Sequence, residues 1–384
     1  MIPELAAWLV SEDAAPALAL AAHQPGSLAT GQALRKQYTA EQAAAASAQA
    51  ALRQQARRKF GPAADTCFFT ADGLQQATRP PVAAWRANWL VSQGITRVAD
   101  LTCGLGTDAI AFRAAGLDVI AVEADPVTAC FAQRNIGIPV TCALAEDVAT
   151  ALLDPTTAVF IDPSRRDAHG QFWGTSAMSP SLDWTLELLR AQGGCVKLAP
   201  GLDHALIPTW ASAYWISHHG TLVEVMLTTE PNQRRTAVVL GNGNATAAEM
   251  QLRPTAPASV RQIQKYVYEP DPAVIRAGGI AQLAQELDAG LLAEKIAYLT
   301  SDSLVVTGLA TAFAVEAVWP YDERVIRREL AEREIGTLEI KARGVEVDPA
   351  KLRPRLRLRG NHSATLILTE TQAGARSILA HRGI

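Results

Sequence analysis

The carboxylates and glycines between Val98 and Asp167 stand at spacings that could do chemistry. The run Val98-Ala-Asp-Leu-Thr-Cys-Gly-Leu-Gly-Thr-Asp108 reads as a strand, a turn at Gly104-x-Gly106 and the start of a helix. Glycines at such a turn let backbone N–H groups approach a ligand closely at a helix N-terminus. Taken alone, Gly104-x-Gly106-x-x-Ala109 would suit a dinucleotide. Asp100, four residues before Gly104, argues otherwise, because a carboxylate there repels a pyrophosphate and suits a cationic α-amino group. Glu123 follows Gly104 by nineteen residues, at a strand end where an acid can accept from both hydroxyls of a ribose. Asp147 follows a third apolar run and could accept from the exocyclic amine of an adenine, with Glu146 as the alternative. Asp125-Pro126 has the form of an N-cap and first helical residue, which is a structural role.

An amine, a ribose and an adenine, with no phosphate site, describe S-adenosylmethionine. At these residues the chain resembles the class I S-adenosylmethionine-dependent methyltransferases, whose first motif runs hydrophobic-x-Asp-x-x-x-Gly-x-Gly. Thr102 stands where Gly is commoner, a variant seen in nucleic-acid methyltransferases before Cys-Gly. The resemblance implies a cofactor site of Asp100, Thr102, Cys103, Gly104, Gly106, Thr107, Asp108, Glu123, Ala124, Glu146 and Asp147. Upstream, Phe68 to Pro81 resembles the lead-in of RNA-cap and rRNA methyltransferases, where this segment lids the cofactor. That adds Gln76 and Thr78, although capping of the next helix explains Thr78 equally well.

The chemical end lies in Phe160-Ile-Asp-Pro-Ser-Arg-Arg-Asp167. Ligands in open α/β sheets bind beyond the carboxyl ends of strands, so Asp162 would face the transferred methyl. The sequence is similar to the Asp/Asn-Pro-Pro-Tyr/Phe motif of amino methyltransferases, which implies Asp162, Pro163 and Arg165 at the reacting centre. There an aromatic ring stacks on the base; Arg165 occupies that place here, and Trp173 or Phe172 could supply the ring or simply cover the loop. A sulfonium already activates its methyl, so positioning and dehydration of the nucleophile suffice, with Asp162 as acceptor. Arg165 and Arg166 could clamp a phosphate or carboxylate, or pair with Asp167 or Asp183. Lys197, inside the run Cys195-Val-Lys-Leu-Ala-Pro-Gly201, could bind an anionic substrate group or snorkel to the rim.

These residues need a sheet to hold them. Arg97–Leu101, Asp118–Val122, Pro139–Cys142, Ala158–Ile161 and Gly194–Leu198 are short apolar runs separated by helical patterns, which implies βαβ units and a parallel sheet. Leu222–Thr228 and Thr236–Leu240 read as a hairpin closing it. The expected fold is α/β: a Rossmann-like class I methyltransferase sheet of five parallel strands plus a terminal antiparallel hairpin. An N-terminal helical domain (1–82) precedes this methyltransferase domain (83–243). A linker and helical segment (244–320, helical at 282–299) and a smaller α/β domain (321–384) follow. In the last, a helix over 322–333, a strand at 337–342, a Pro349-led helix or turn, strands at 356–358 and 364–368, and a helical end are expected.

Lys+Arg 35 against Asp+Glu 38 leaves a net charge of −3, so any nucleic acid must be held by a local patch rather than bulk charge. Such a patch runs from Lys341 to Arg359, where Arg353, Arg355, Arg357 and Arg359 alternate with other residues and would share one face if extended. With Tyr268-Glu-Pro-Asp-Pro272, this stretch resembles bacterial methyltransferases with a C-terminal THUMP-like domain, a module that binds structured RNA in tRNA-modifying enzymes. The resemblance implies RNA, an rRNA or tRNA, as partner, bound in part by Arg355 and Arg357. Five cysteines without a CxxC spacing support neither a disulfide framework nor a zinc site, and no metal is expected. The N-terminus lacks a basic n-region and the early uncharged stretch is broken by prolines, so a soluble cytoplasmic protein is expected. Methylation of a nitrogen of a structured RNA leads the readings. A methyltransferase of a small anionic metabolite and a non-catalytic RNA-binding protein retaining the cofactor fold stay open, with a dehydrogenase as a minor alternative.

Overall fold

Six α-helices precede the first strand: α1 (Pro3–Val10), α2 (Ala15–His23), α3 (Leu28–Arg35), α4 (Ala40–Phe60), α5 (Ala71–Gln76) and α6 (Pro80–Ser92). The Ala-rich stretch makes α4 the longest of them, because alanine loses no side-chain entropy on becoming helical. Thr39 and Gln42 close a capping box at its start, each side chain accepting from the other's backbone N–H at 3.2 Å. The structure, a computed structural model, describes residues 1–164, 178–230, 233–241 and 247–382. It divides into two compact units, residues 1–212 with 226–232, and residues 213–225 with 233–384.

In the first unit, strands and helices alternate: β1 (Arg97–Asp100), α7 (Thr107–Ala114), β2 (Asp118–Glu123), α8 (Pro126–Ile136), β3 (Val140–Cys142), α9 (Ala145–Leu152), β4 (Ala158–Ile161), α10 (Leu182–Gln192) and β5 (Gly194–Leu198). These strands are parallel in the order β3-β2-β1-β4-β5. The order reverses direction at β1, so β1 and β4 flank the switch point where open α/β sheets bind ligands. Asp125 caps α8 through the Thr128 N–H at 2.8 Å, and Ser181 caps α10. The opening helices do not form a core apart from the sheet. Leu9, Leu34, Phe68, Phe69 and Leu74 bury themselves together with Leu105, Val127 and Phe131. Each such Leu or Phe adds about 1.5–3 kcal/mol, which fixes the lead-in segment against α8.

The sheet continues in the order β7-β6-β8-β9, with β6 (Ser212–His218), β7 (Thr221–Thr228), β8 (Arg235–Leu240) and β9 (Ala248–Gln251). The terminal hairpin is made by β6 and β7, joined by His219-Gly220 with both residues at positive φ (53° and 68°), the conformation that tight hairpin turns require. This corrects the expected pairing of 222–228 with 236–240, because β8 instead runs parallel to β6. All seven residues of β6 are buried, Ser212, Ser217 and His218 included, and that polarity hid the strand. Part of the expected linker is β9, antiparallel to β8.

The second sheet contains β10 (Tyr266–Pro270), β11 (Gly290–Leu291), β12 (Leu299–Ser301), β13 (Ala310–Pro320), β14 (Ile335–Arg343), β15 (His362–Thr369) and β16 (Arg376–Arg382), in the order β11-β12-β10-β13-β16-β15-β14. Between them lie α11 (Pro272–Ala277), α12 (Ile280–Glu286), α13 (Glu323–Glu332) and α14 (Pro349–Leu356). Three expectations fail here. The helical stretch expected at 282–299 ends at Glu286, beyond which Asp288 takes a left-handed backbone and β11 begins. The expected helical end is β16, whose short apolar run Ile378-Leu379-Ala380 is buried between β13 and β15 and cannot be told from a helix by periodicity alone. The strand expected at 356–358 is absent, because the expected Pro349-led helix, α14, runs on to Leu356: Asp348 caps it, Pro349 fits the first helical position, and Leu352 and Leu356 are buried one turn apart. Arg353, Arg355, Arg357 and Arg359 therefore do not line one strand face, although all four are exposed.

Candidate active site

Asp100 ends β1 fully buried, its Oδ1 accepting weakly from the Thr102 N–H at 3.4 Å. Its Oδ2 is buried with no hydrogen-bond partner among the described residues. Burial pushes this carboxyl well above the usual range, and the neighbouring Asp108 and Asp162 push the same way. A buried acceptor without a donor is costly, and a cationic amine would relieve it. Gly104 follows with φ 54°, and a Cβ placed there would meet no atom within 4 Å, so its backbone faces open space. Gly106, at φ 88°, caps α7, and a Cβ there would overlap the Ile136 side chain. One glycine keeps the approach to a ligand open; the other lets the loop pack on α8.

Glu123 ends β2 with its two oxygens accepting from the Gly104 N–H and the Asp125 N–H, both at 2.9 Å. Burial raises its carboxyl, and lone pairs remain on both oxygens for hydroxyl donors. Ala124, Cys142 and Leu144 are exposed around the carboxyl ends of β2 and β3, an apolar border suited to a flat base. Glu146 and Asp147 are exposed in the first turn of α9. Gly104 and Glu123 are joined by a hydrogen bond, and Asp100 ends β1 in register with Ala121, two residues before Glu123; such donors would suit the amine and ribose of S-adenosylmethionine.

Other expected residues have structural tasks. Asp108 is buried, accepting from Arg86 at one oxygen and from the Thr78 hydroxyl at 2.5 Å at the other. That network ties the lead-in segment to α7 and occupies both Thr78 and Asp108. Cys103 is buried, donates its N–H to Val122 O at 2.9 Å and has its thiol pushed well up by burial. Thr107 begins α7, and Gln76 ends α5 exposed. Sequence reasoning missed Asn135, whose Nδ2 donates to both Phe68 O and Leu105 O at 3.0 Å while its Oδ1 accepts from the Phe68 N–H at 2.8 Å. It straps the lead-in to the cofactor loop, and nothing in its helical context signals this.

At the carboxyl end of β4 the Asp162 N–H donates to the Thr102 hydroxyl at 2.7 Å, which fixes the two strand ends to each other. Lys197, on β5, places Nζ 2.5 Å from Asp162 Oδ2, with side chains 14% and 33% exposed respectively. Lys197 therefore does not snorkel to the rim; its ammonium faces the candidate acceptor. Pro163 is buried, and Ser164 pairs backbone to backbone with Ser179. Arg165, Arg166, Phe172 and Trp173 lie outside the described residues. Arg355 pairs with Glu323 at 2.9 Å, and Arg357 sits exposed with a left-handed backbone at the end of α14. Among the described residues, no group of His, Cys, Asp or Glu could hold a metal ion, and no single helix is long and apolar enough to cross a membrane.

A family model described as THUMP domain-like matches residues 310–382. An S-adenosylmethionine-dependent methyltransferase of Mycobacterium tuberculosis, described as uncharacterized, is 31% identical over 342 residues in strains CDC 1551 and H37Rv alike. That similarity covers 84% of this chain and 92% of the relative. A candidate methyltransferase from Porphyromonas gingivalis W83 has the same fold, with a TM-score of 0.77 at 22% identity over 97% of this chain and 98% of that one. The chain belongs to the class I S-adenosylmethionine-dependent methyltransferases, uses that cofactor, and carries a THUMP-like domain at its C-terminal end.

Proposed function

We propose that the enzyme methylates a nitrogen of a structured RNA, an rRNA or tRNA. The observation that carries the reading is the Asp162 carboxylate at the end of β4, one oxygen held by Lys197 at 2.5 Å, in a chain that ends in a THUMP-like domain. Such domains bind structured RNA in tRNA-modifying enzymes. Arg353, Arg357 and Arg359 on and after α14 are exposed and form no ion pair among the described residues, which suits contact with phosphates.

When bound, S-adenosylmethionine supplies a methyl group already activated by its sulfonium. Asp100 holds the α-amine, Glu123 the ribose hydroxyls, and Asp147 the adenine amine. The Gly104 backbone lets the ligand lie close. Lys197 fixes Oδ2 of Asp162, and Oδ1 accepts the N–H of the target nitrogen, aims its lone pair and takes its proton as the bond forms. The Thr102 hydroxyl keeps the Asp162 backbone in register with the cofactor loop.

Mass spectrometry of digested total RNA from cells with and without the gene tests the reading. One methylated nucleoside should vanish on deletion, return with the wild-type chain and stay missing with Asp162→Asn. An unchanged nucleoside profile would overturn RNA as the substrate and favour the small anionic metabolite. Full restoration by Asp162→Asn would overturn the role of that carboxylate.

A further inference from the structure

The second sheet ends on β14, and a strand in that place leaves one row of backbone N–H and C=O groups unpaired. Its nine residues, Ile335–Arg343, run parallel to β15 on one side, and among the described residues no other backbone bonds to theirs. Nine is long for an edge, where short strands and prolines ordinarily discourage pairing. A bulge interrupts the ladder between Ile335 and Thr337, so the regular stretch is Thr337–Arg343, whose midpoint is Ile340. Leu338, Ile340 and Ala342 pack in the cluster that holds Ile326 and Leu330 of α13 and Leu352 and Leu356 of α14. Thr337, Glu339, Lys341 and Arg343 alternate with them on the opposite face. There Lys341 Nζ lies 2.6 Å from Glu269 Oε2 and 3.2 Å from Glu339 Oε1, and the Glu339 side chain is 45% exposed.

This row of side chains is complementary to itself. Two identical strands that pair antiparallel in one sheet keep their faces matched only when some residue stands opposite its own copy. With Ile340 at that centre, Glu339 faces Lys341 twice, Leu338 faces Ala342 and Thr337 faces Arg343. With Glu339 or Lys341 at the centre, each would face its own copy, and with Ala342 there Lys341 would face Arg343. Opposite charges directly across a ladder stabilise it, and like charges destabilise it. We propose that β14 is the contact between two copies of this chain, paired antiparallel about a two-fold axis at Ile340. The two seven-stranded sheets then become one continuous sheet. Residue i meets residue j and j meets i, as an isologous interface requires.

The test is the mass of the whole chain in solution, by sedimentation equilibrium from about 1 to 100 µM, a span that captures even a weak, concentration-dependent interface. The wild type should rise from 40.9 kDa towards twice that value. Glu339→Lys and Lys341→Glu each set like charges opposite at both pairs, and each should raise the dissociation constant about tenfold or more. Mixed together, the two variants regain opposite charges at both pairs and should bind each other as tightly as the wild type binds itself. Lys341 also holds Glu269 within its own chain, so a second measurement uses no variant. Carbodiimide coupling of nitrogen-15-labelled with unlabelled wild-type chains should join Glu339 to Lys341 in peptides of mixed label. A mass of 40.9 kDa throughout would mean that these charges guard a bare edge, and would overturn the proposal. So would a dimer indifferent to Glu339→Lys, variants that stay apart when mixed although urea melts show each one folded, or coupling confined to peptides of one label.

Discussion

Replacement of Lys197 by Met keeps the aliphatic stem and removes the charge that pins Asp162. The bond lost is charge-assisted, 2.5 Å long, between side chains 14% and 33% exposed. Such bonds contribute about 1.5–3 kcal/mol when buried, and the third of Asp162 left in water reduces this to about 1–2 kcal/mol. If the pair acts as one unit, Lys197→Met should lower kcat/KM by about 5- to 30-fold, with KM for S-adenosylmethionine little changed. Asp162→Asn should cost at least as much. The double variant should be no worse than Asp162→Asn alone, which gives a coupling energy of about 1–2 kcal/mol. The assay is transfer of a labelled methyl to RNA from cells lacking the gene, with urea melts of each variant to separate folding from chemistry. Effects that add to within about 0.5 kcal/mol would refute the reasoning, because the lysine and the carboxylate would then act independently.

The two loop glycines should separate folding from ligand binding. Gly106→Ala, strained at φ 88° and overlapping Ile136, should destabilise by about 2–4 kcal/mol in urea melts. Gly104→Ala meets no protein atom and should cost only about 1–2 kcal/mol of backbone strain, yet weaken S-adenosylhomocysteine more than tenfold by calorimetry. Arg86→Met strands the buried Asp108 and should destabilise by about 3–5 kcal/mol, seen as a large drop in the urea midpoint at unchanged slope. Asp100 is raised, so folding loses stability as pH climbs from the ordinary carboxylate range through its folded value. A bound α-amine favours its ionised form. Ligand binding should therefore release a proton and tighten with rising pH in that window, read by calorimetry in buffers of different ionisation heat, and Asp100→Asn should abolish the release.

The parallel half of the sheet was legible because covered strands are short apolar runs set between helices, and 158–161 and 194–198 fall on β4 and β5. Local capping was equally plain: Thr39, Asp125 and Ser181 each cap the helix their neighbours predict. That Asp100 and Glu123 end their strands could be read from the sequence, since apolar runs stop there. Side-chain partners across elements were not readable. Asp108 and Thr78 look like ligands until Arg86, buried beneath them, is seen to hold them both. That Lys197 meets Asp162 could not be read from their separation in sequence. In the C-terminal domain Pro349 announces α14, but the alternation through Leu356 and Leu358 satisfies a strand period and hides where the helix ends.

Methyl transfer measured directly on fractionated substrate bears hardest on the account. Purified enzyme, labelled S-adenosylmethionine and an extract of cells lacking the gene would be incubated, then separated into RNA and small molecules. The label should enter RNA, reside on a nitrogen of one nucleoside after digestion, and disappear with Asp162→Asn. Label confined to the small-molecule fraction, or attached to carbon or oxygen in RNA, would contradict it.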